Sequence, residues 1–123
     1  MAKKILIIED DASLAENLEK TIKAAGFEVY VCHDGETGFK FIQEKIPDLI
    51  LLDLVLPKKH GFKIMEEMAK SPELKNIQVI VLTNLESPND IEQASSLGIK
   101  AYLVKANYTP SEILKKVQEA LQG

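Results

Sequence analysis

Four apolar runs in this chain each stop at side chains that can do chemistry. Ile5-Leu6-Ile7-Ile8 runs into Glu9-Asp10-Asp11, Leu49-Ile50-Leu51-Leu52 into Asp53, Val79-Ile80-Val81-Leu82 into Thr83, and Tyr102-Leu103-Val104 into Lys105. A carboxylate at the end of an apolar run is costly to bury, so Asp53 belongs at a mouth that faces water or a cation. Glu9, Asp10 and Asp53 gathered at one mouth would repel one another. A hard divalent cation relieves that repulsion. Mg²⁺ binds through one or two carboxylates and completes its shell with waters and phosphate oxygens, which suits Asp10 and Asp53 as direct ligands and Glu9 as a ligand through water. Lys105 adds a fixed positive charge and Thr83 a hydroxyl donor, and such groups stabilise a phosphoryl group arriving on a carboxylate. An aspartate can itself be the nucleophile, which gives an acyl phosphate.

Each of these residues has a plainer reading when taken alone. Acidic residues before a helix favour its positive end, so Glu9-Asp10-Asp11 by itself suggests capping. A threonine at a strand end commonly bonds to nearby backbone, and a lone lysine is usually solvated. Asp53 is unusual even alone, because few carboxylates follow four aliphatics. The joint occurrence, one set per strand end, is what favours a site.

The elements that must position them follow from periodicity and punctuation. Strands are expected at Lys4–Ile8, Glu28–Cys32, Leu49–Leu52, Gln78–Leu82 and Ala101–Val104. Between them lie helical patterns: Leu14, Leu18 and Ile22, capped by Asp11 or Ser13 and stopped at Gly26; Phe39, Ile42 and Ile46, opened by Asp34-Gly35 and ended by Pro47; Ile64, Met65 and Met68, from Gly61 to Ser71-Pro72. Ser87-Pro88-Asn89-Asp90 opens a fourth helix with Ile91, Ala94 and Leu97 facing inward and Gly98 as its stop. Thr109-Pro110-Ser111-Glu112 is a capping box before Ile113, Val117 and Leu121. Five strands alternating with five helices give an α/β, doubly wound five-stranded parallel sheet. The first, third and fourth strands are the most apolar and should be central. That matches the flavodoxin-like order 2-1-3-4-5, whose switch point between strands one and three would set Asp10 opposite Asp53.

Composition narrows the class. The 123 residues suit a single domain spanning 1–123, and 46% hydrophobic content suits a packed core. The net charge, 15 − 19 = −4, disfavours direct binding to nucleic acid. Apolar runs of about six residues fall far short of the ~20 that span a bilayer. The start shows no cleavable signal pattern, and a lone Cys32 in Val29-Tyr30-Val31-Cys32 offers packing rather than a disulfide. A cytoplasmic location is expected.

Together these residues resemble the receiver domain of two-component response regulators (CheY-like) over essentially the whole chain. The resemblance rests on the acidic pair Glu9-Asp10, on Asp53 with Pro57 and Gly61 in Asp-Leu-Val-Leu-Pro-Lys-Lys-His-Gly, on Thr83 after its aliphatic run, and on Lys105 after Tyr102-Leu103-Val104. It implies Mg²⁺-dependent phosphoryl transfer to Asp53 from a histidine kinase or histidine phosphotransfer protein, in a phosphorelay. It also implies the backbone carbonyl of Val55 as a further metal ligand, and a switch in which Thr83 moves toward the phosphoryl group and Tyr102 turns inward. The face of helix 4, strand 5 and helix 5 would then be remodelled for a downstream protein. Such a domain is a signalling module rather than a turnover enzyme, and monomer and homodimer both stay open.

The chain departs from the family's commonest pattern at four places. Ala106 follows Lys105 where the family usually has proline after a cis bond; a cis bond before alanine costs ~3–4 kcal/mol, which favours trans and a different aim for Lys105. Asn84 stands where a small alanine is usual and would narrow access. His60 replaces a frequent acidic residue and is expected to be solvated. Val55 and Leu85, two places beyond Asp53 and Thr83, are apolar where polar groups often influence the hydrolytic water. Two other readings compete with a stand-alone receiver. A Mg²⁺-dependent phosphohydrolase with Asp53 as nucleophile lacks an acid/base at position 55 and a cap insertion. A flavodoxin-like cofactor binder lacks a glycine-rich phosphate loop after strand one.

Overall fold

The structure is a computed structural model and describes residues 2–122. Five parallel strands, β1 (Lys4–Ile8), β2 (Glu28–Cys32), β3 (Leu49–Leu52), β4 (Gln78–Thr83) and β5 (Ala101–Val104), stand in the order β2-β1-β3-β4-β5. The helices are α1 (Ala12–Ala24), α2 (Gly35–Lys45), α3 (Gly61–Ala69), α4 (Pro88–Ser96) and α5 (Pro110–Gln122), with a 3-10 turn at Lys105–Asn107 before the last. The doubly wound sheet anticipated from the sequence is therefore present, with β2 and β5 at its edges.

Alternation along the strands divides the core into two layers. Leu6, Ile8, Ile50, Leu52, Val79 and Val81 pack with Ile42, Ile64, Met65, Met68 and Ala94, the inward residues of α2, α3 and α4. Ile5, Ile7, Leu49, Leu51, Ile80, Leu82 and Leu103 pack with Leu18, Ile22, Ile113 and Val117 of α1 and α5. A sheet covered on both faces needs strands apolar at every position, which is why these runs are continuous rather than alternating. Each fully buried leucine or isoleucine contributes roughly 1.5–3 kcal/mol of transfer free energy.

Local signals set the helix ends. Asp11, not Ser13, caps α1, its Oδ1 accepting from the Leu14 N–H at 3.1 Å. Gly26 and Gly98 follow α1 and α4 with φ of 99° and 82°, a left-handed turn that costs glycine least. The capping box before α5 closes in both directions: Glu112 Oε1 accepts from Thr109 N–H at 2.8 Å, and Thr109 Oγ1 from Glu112 N–H at 3.2 Å.

Three details differ from the sequence expectation. β4 runs one residue further, to Thr83, because Thr83 still pairs with Val104 of β5. Ile46 does not face inward; it is the left-handed C-cap of α2, at φ 44°, and is exposed. Ile91 is likewise exposed, and α4 buries Ala94 alone.

Asp34 caps α2 twice over, its Oδ1 accepting from the Thr37 N–H at 2.8 Å and its Oδ2 from the Thr37 hydroxyl at 2.9 Å. The bond to the Thr37 N–H is the main reason its carboxyl titrates below the usual carboxylate value. A depressed folded pKa gives stability that is present above the unfolded value and lost as pH falls through the folded one. Asp34→Ala should therefore cost about 1 kcal/mol at pH 7, with the gap from wild type closing below the ordinary aspartate pKa. Urea unfolding of both proteins across that range is the check.

Candidate functional site

The strand register decides what meets at the carboxyl edge. Ile8 pairs with Leu52 across β1 and β3, so the next residues, Glu9 and Asp53, are neighbours. The Asp53 N–H donates to the Ile8 carbonyl at 3.1 Å and the Glu9 N–H to the Cys32 carbonyl at 2.9 Å, which extends the ladder past both strand ends. Thr83 pairs with Val104, and Lys105 follows at once. Asp10, Asp53, Val55, Thr83, Asn84, Leu85 and Lys105 line one open cavity of about 290 Å³ at this mouth.

Glu9, Asp53 and Thr83 are the buried polar residues of the core. Lys105 Nζ lies 2.7 Å from Asp53 Oδ2 and 2.9 Å from Glu9 Oε2, so one ammonium bridges both carboxylates. The Lys105–Ala106 bond is trans, and this does not carry the lysine away: the 3-10 turn that follows leaves its side chain aimed at Asp53. Burial is the strongest influence on the Lys105 ammonium and pulls its pKa down, but the hydrogen bonds to Asp53 and Glu9 outweigh it and hold it above the ordinary lysine value. Glu9 moves the other way for a carboxylate. Burial raises its pKa, against the opposing bonds from Lys105 and the Asp11 N–H. The ion pair thus favours the charged form of Lys105, while burial works against the charged form of Glu9.

Carboxylate oxygens of Glu9, Asp10 and Asp53 all lie within 4.8 Å of one another. Glu9 Oε1 is buried and, among the described residues, accepts no hydrogen bond, although Lys105 Nζ stands 2.8 Å away. Asp10 is exposed at the rim. An all-oxygen set of three clustered carboxylates with one lysine as counter-charge fits a hard divalent cation.

A family model for the response regulator receiver domain matches residues 5–118. The chain belongs to the response regulator receiver family. Solved relatives share the fold. The CheY-like receiver domain protein from Methanospirillum hungatei JF-1 is 25% identical, with a TM-score of 0.91 over 99% of this chain and 95% of that one. A putative response regulator from Chloroflexus aurantiacus J-10-fl is 27% identical, with a TM-score of 0.89 over the whole of both chains. The Mn²⁺-bound form of response regulator Rcp1 is 32% identical, with a TM-score of 0.82 over 95% of this chain and 90% of that one. No helix among the described residues of this receiver is long and apolar enough to cross a membrane.

The remaining site residues take definite positions around this receiver's mouth. Thr83 is fully buried and its Oγ1 accepts only a long 3.4 Å bond from the Leu85 N–H. Tyr102 is half-buried against the α2–α4 layer, and its hydroxyl donates to the Leu85 carbonyl at 2.7 Å. The Val55 N–H donates to Asp53 Oδ1 at 3.2 Å, while the Val55 side chain is 53% exposed. Asn84 lies exposed on the cavity rim, and Cys32 is buried in packing.

Sequence reasoning missed several contacts. It gave Lys105 a phosphoryl group as partner and did not foresee its bond to Glu9. His33 Nδ1 lies 2.9 Å from the Glu9 carbonyl; a carbonyl only accepts, so Nδ1 carries the hydrogen. His60 is exposed as expected but also caps α3, with Nδ1 accepting from the Phe62 N–H at 3.2 Å. Its place just before Gly61, the first residue of α3, is the one sequence signal that could have suggested this.

Lys105→Met would leave two buried carboxylates facing each other without a counter-charge. Metal-free, the variant should lose roughly 3 kcal/mol of stability. Saturating Mg²⁺ should narrow the gap, because a cation among the carboxylates replaces the missing charge. Denaturant unfolding with EDTA and with Mg²⁺ measures both values; an equal gap in the two conditions would show that no cation takes up that role.

Proposed function

We propose that this receiver works as a stand-alone response regulator, one domain across residues 1–123, that takes a phosphoryl group onto Asp53 from a histidine kinase or histidine phosphotransfer protein. The observation that carries this reading is the state of Asp53. It is buried at the end of a central strand, bonded to Lys105 on one oxygen and to the Val55 N–H on the other, and grouped with Glu9 and Asp10. A carboxylate oxygen of Asp53 attacks the phosphorus of the donor, the P–N bond breaks, and its electron pair goes to the imidazole nitrogen. Asp10, Asp53 and the Val55 carbonyl would hold Mg²⁺, with Glu9 reached through water; the ion supplies neutralisation of the charge that builds on the phosphoryl oxygens. The Mn²⁺-bound form of a 32% identical relative supports a divalent ion for this receiver.

Lys105 reaches the same group from the other side and steadies the added charge. Thr83 has only its long bond to the Leu85 N–H to give up in turning its hydroxyl to the phosphoryl oxygen. The Leu85 carbonyl holds the Tyr102 hydroxyl, so a shift of the β4–α4 loop toward the site would break that bond and free Tyr102 to turn inward. In this way roughly two added negative charges remodel the face of α4, β5 and α5 for a downstream protein. Cytoplasmic residence and action through protein contact rather than direct nucleic-acid binding complete the reading. Turnover of free phosphomonoesters is not favoured, because exposed Val55 stands where an acid/base would be needed.

Incubation with acetyl phosphate and Mg²⁺ should add one phosphoryl mass to the intact protein and none to Asp53→Ala. Persistence of the gain in the variant sinks the assignment. The lifetime of the modification follows from the rim: neither Val55 nor Leu85 can orient a water by hydrogen bonding, so unaided hydrolysis should be slow. Val55→Asn and Leu85→Glu should each release phosphate several-fold faster than wild type, and equal rates in all three would refute this.

A further inference from the structure

The β3–α3 loop, which carries Asp53 at one end and Val55 within it, is held in an uncommon backbone shape. Lys58 sits at φ 68°, a conformation a lysine rarely adopts, and the Lys59 N–H folds back onto the Pro57 carbonyl at 2.7 Å. Strain of this kind persists only where the surroundings over-determine it. Here the surroundings are α2 and α3. The Gly35 N–H, at the first residue of α2, donates to the same Pro57 carbonyl at 3.0 Å. The approach is so close that a Cβ on Gly35 would lie 1.8 Å from the Lys59 carbonyl oxygen. Lys59 Nζ then lies 4.2 Å from the centre of the Phe39 ring on α2 and pairs with Glu67 on α3. At the far end, the Gly61 N–H donates to the Leu54 carbonyl at 2.9 Å.

We infer that Gly35 and Lys59 are positioning residues for the metal half of the site: by clamping the β3–α3 loop between α2 and α3 they fix the Val55 peptide, and with it the carboxylate orientation of Asp53. This rests on the metal ligation proposed above. Gly35 is the backbone jaw, which no other residue can form at this distance. Lys59 is the side-chain jaw, because its ammonium is shared between an aromatic face and a carboxylate on different helices.

Gly35→Ala is the obvious variant, but it would force α2 away and mix folding with positioning. Lys59→Met keeps the stem and removes only the ammonium, and it separates two explanations by sign. Coulomb's law alone says that removing a cation near a metal site tightens metal binding. The clamp says that binding weakens, by roughly tenfold. Mn²⁺ titration by calorimetry of wild type, Lys59→Met and Lys59→Arg gives the answer, with Lys59→Arg expected to bind like wild type because a guanidinium can make both contacts. Metal-free amide exchange gives a second readout: the Val55 and Gly35 N–H groups should exchange several-fold faster in Lys59→Met and normally in Lys59→Arg. Unchanged or tighter Mn²⁺ binding with unchanged exchange overturns the inference. A wild type that bound no Mn²⁺ would instead sink the metal reading, and the exchange rates would still decide whether Lys59 holds the loop.

Discussion

The bridge from Lys105 to Glu9 and Asp53 is the interaction on which the carboxyl edge depends. Two carboxylates beside central strands are each taken out of water, and a single buried charge without compensation costs several kcal/mol. One ammonium at 2.7 and 2.9 Å serves both. It is still outnumbered: two buried negative charges and the nearby Asp10 face one positive charge. The balance is tipped toward accepting a further cation, because the carboxylate oxygens of Glu9, Asp10 and Asp53 lie within 4.8 Å of one another around a single ammonium. A buried ion cluster is a poor way to stabilise a fold, which accords with the proposed role of this one, and the rest of the molecule must hold it in place.

What holds it is the parallel sheet. Because β1 and β3 are adjacent and in register, with Ile8 against Leu52, the residues that follow are bound to meet, and no long-range search for side-chain geometry is needed. The two core layers make the same point energetically. Residues such as Leu51 and Leu52, fully buried on opposite faces, anchor the strand immediately before Asp53, so the carboxylate is carried on a strand packed on both sides. A one-residue slip of β3 that drew Asp53 into the sheet would bury its charge among the core residues, and that cost opposes the slip.

Much of this was legible in the sequence because it depends on patterns with short range. Four strand boundaries coincide with their apolar runs, and the caps at Asp34, Ser87 and Thr109 follow from side chains bonding backbone three residues on. The convergence of Glu9, Asp10, Asp53, Thr83 and Lys105 was legible too, since strand order converts sequence position into place along an edge. What was not legible depends on partners far apart in the chain. Lys105 and Glu9 are 96 residues apart, and no periodicity links them. The pairing of Gly35 with Pro57 and of Lys59 with Phe39 arises from how α2 lies beside the β3–α3 loop. The inward reading of Ile91 failed for a related reason: helical spacing gives the phase of a face but not how much of that face the rest of the molecule covers, and α4 buries Ala94 alone.

The two loops that flank Asp53 are held very differently, and this asymmetry bears on how the proposed switch would work. On the β3–α3 side, backbone bonds at Gly35 and Gly61, a strained Lys58 and the Lys59 contacts fix the loop to two helices. On the β4–α4 side, Thr83 offers one long bond, Tyr102 holds Leu85 by a single hydroxyl, and α4 buries only Ala94. A charge added between them moves whichever side costs less to move. Local opening is cheapest where buried apolar contact is sparse, so the proposed response would fall to the β4–α4 loop and α4, with the proposed metal half staying put. The proposed function asks the site to bind a cation in fixed geometry and to report a modification, which takes one stiff wall and one soft wall, and the distribution of contacts around Asp53 provides both.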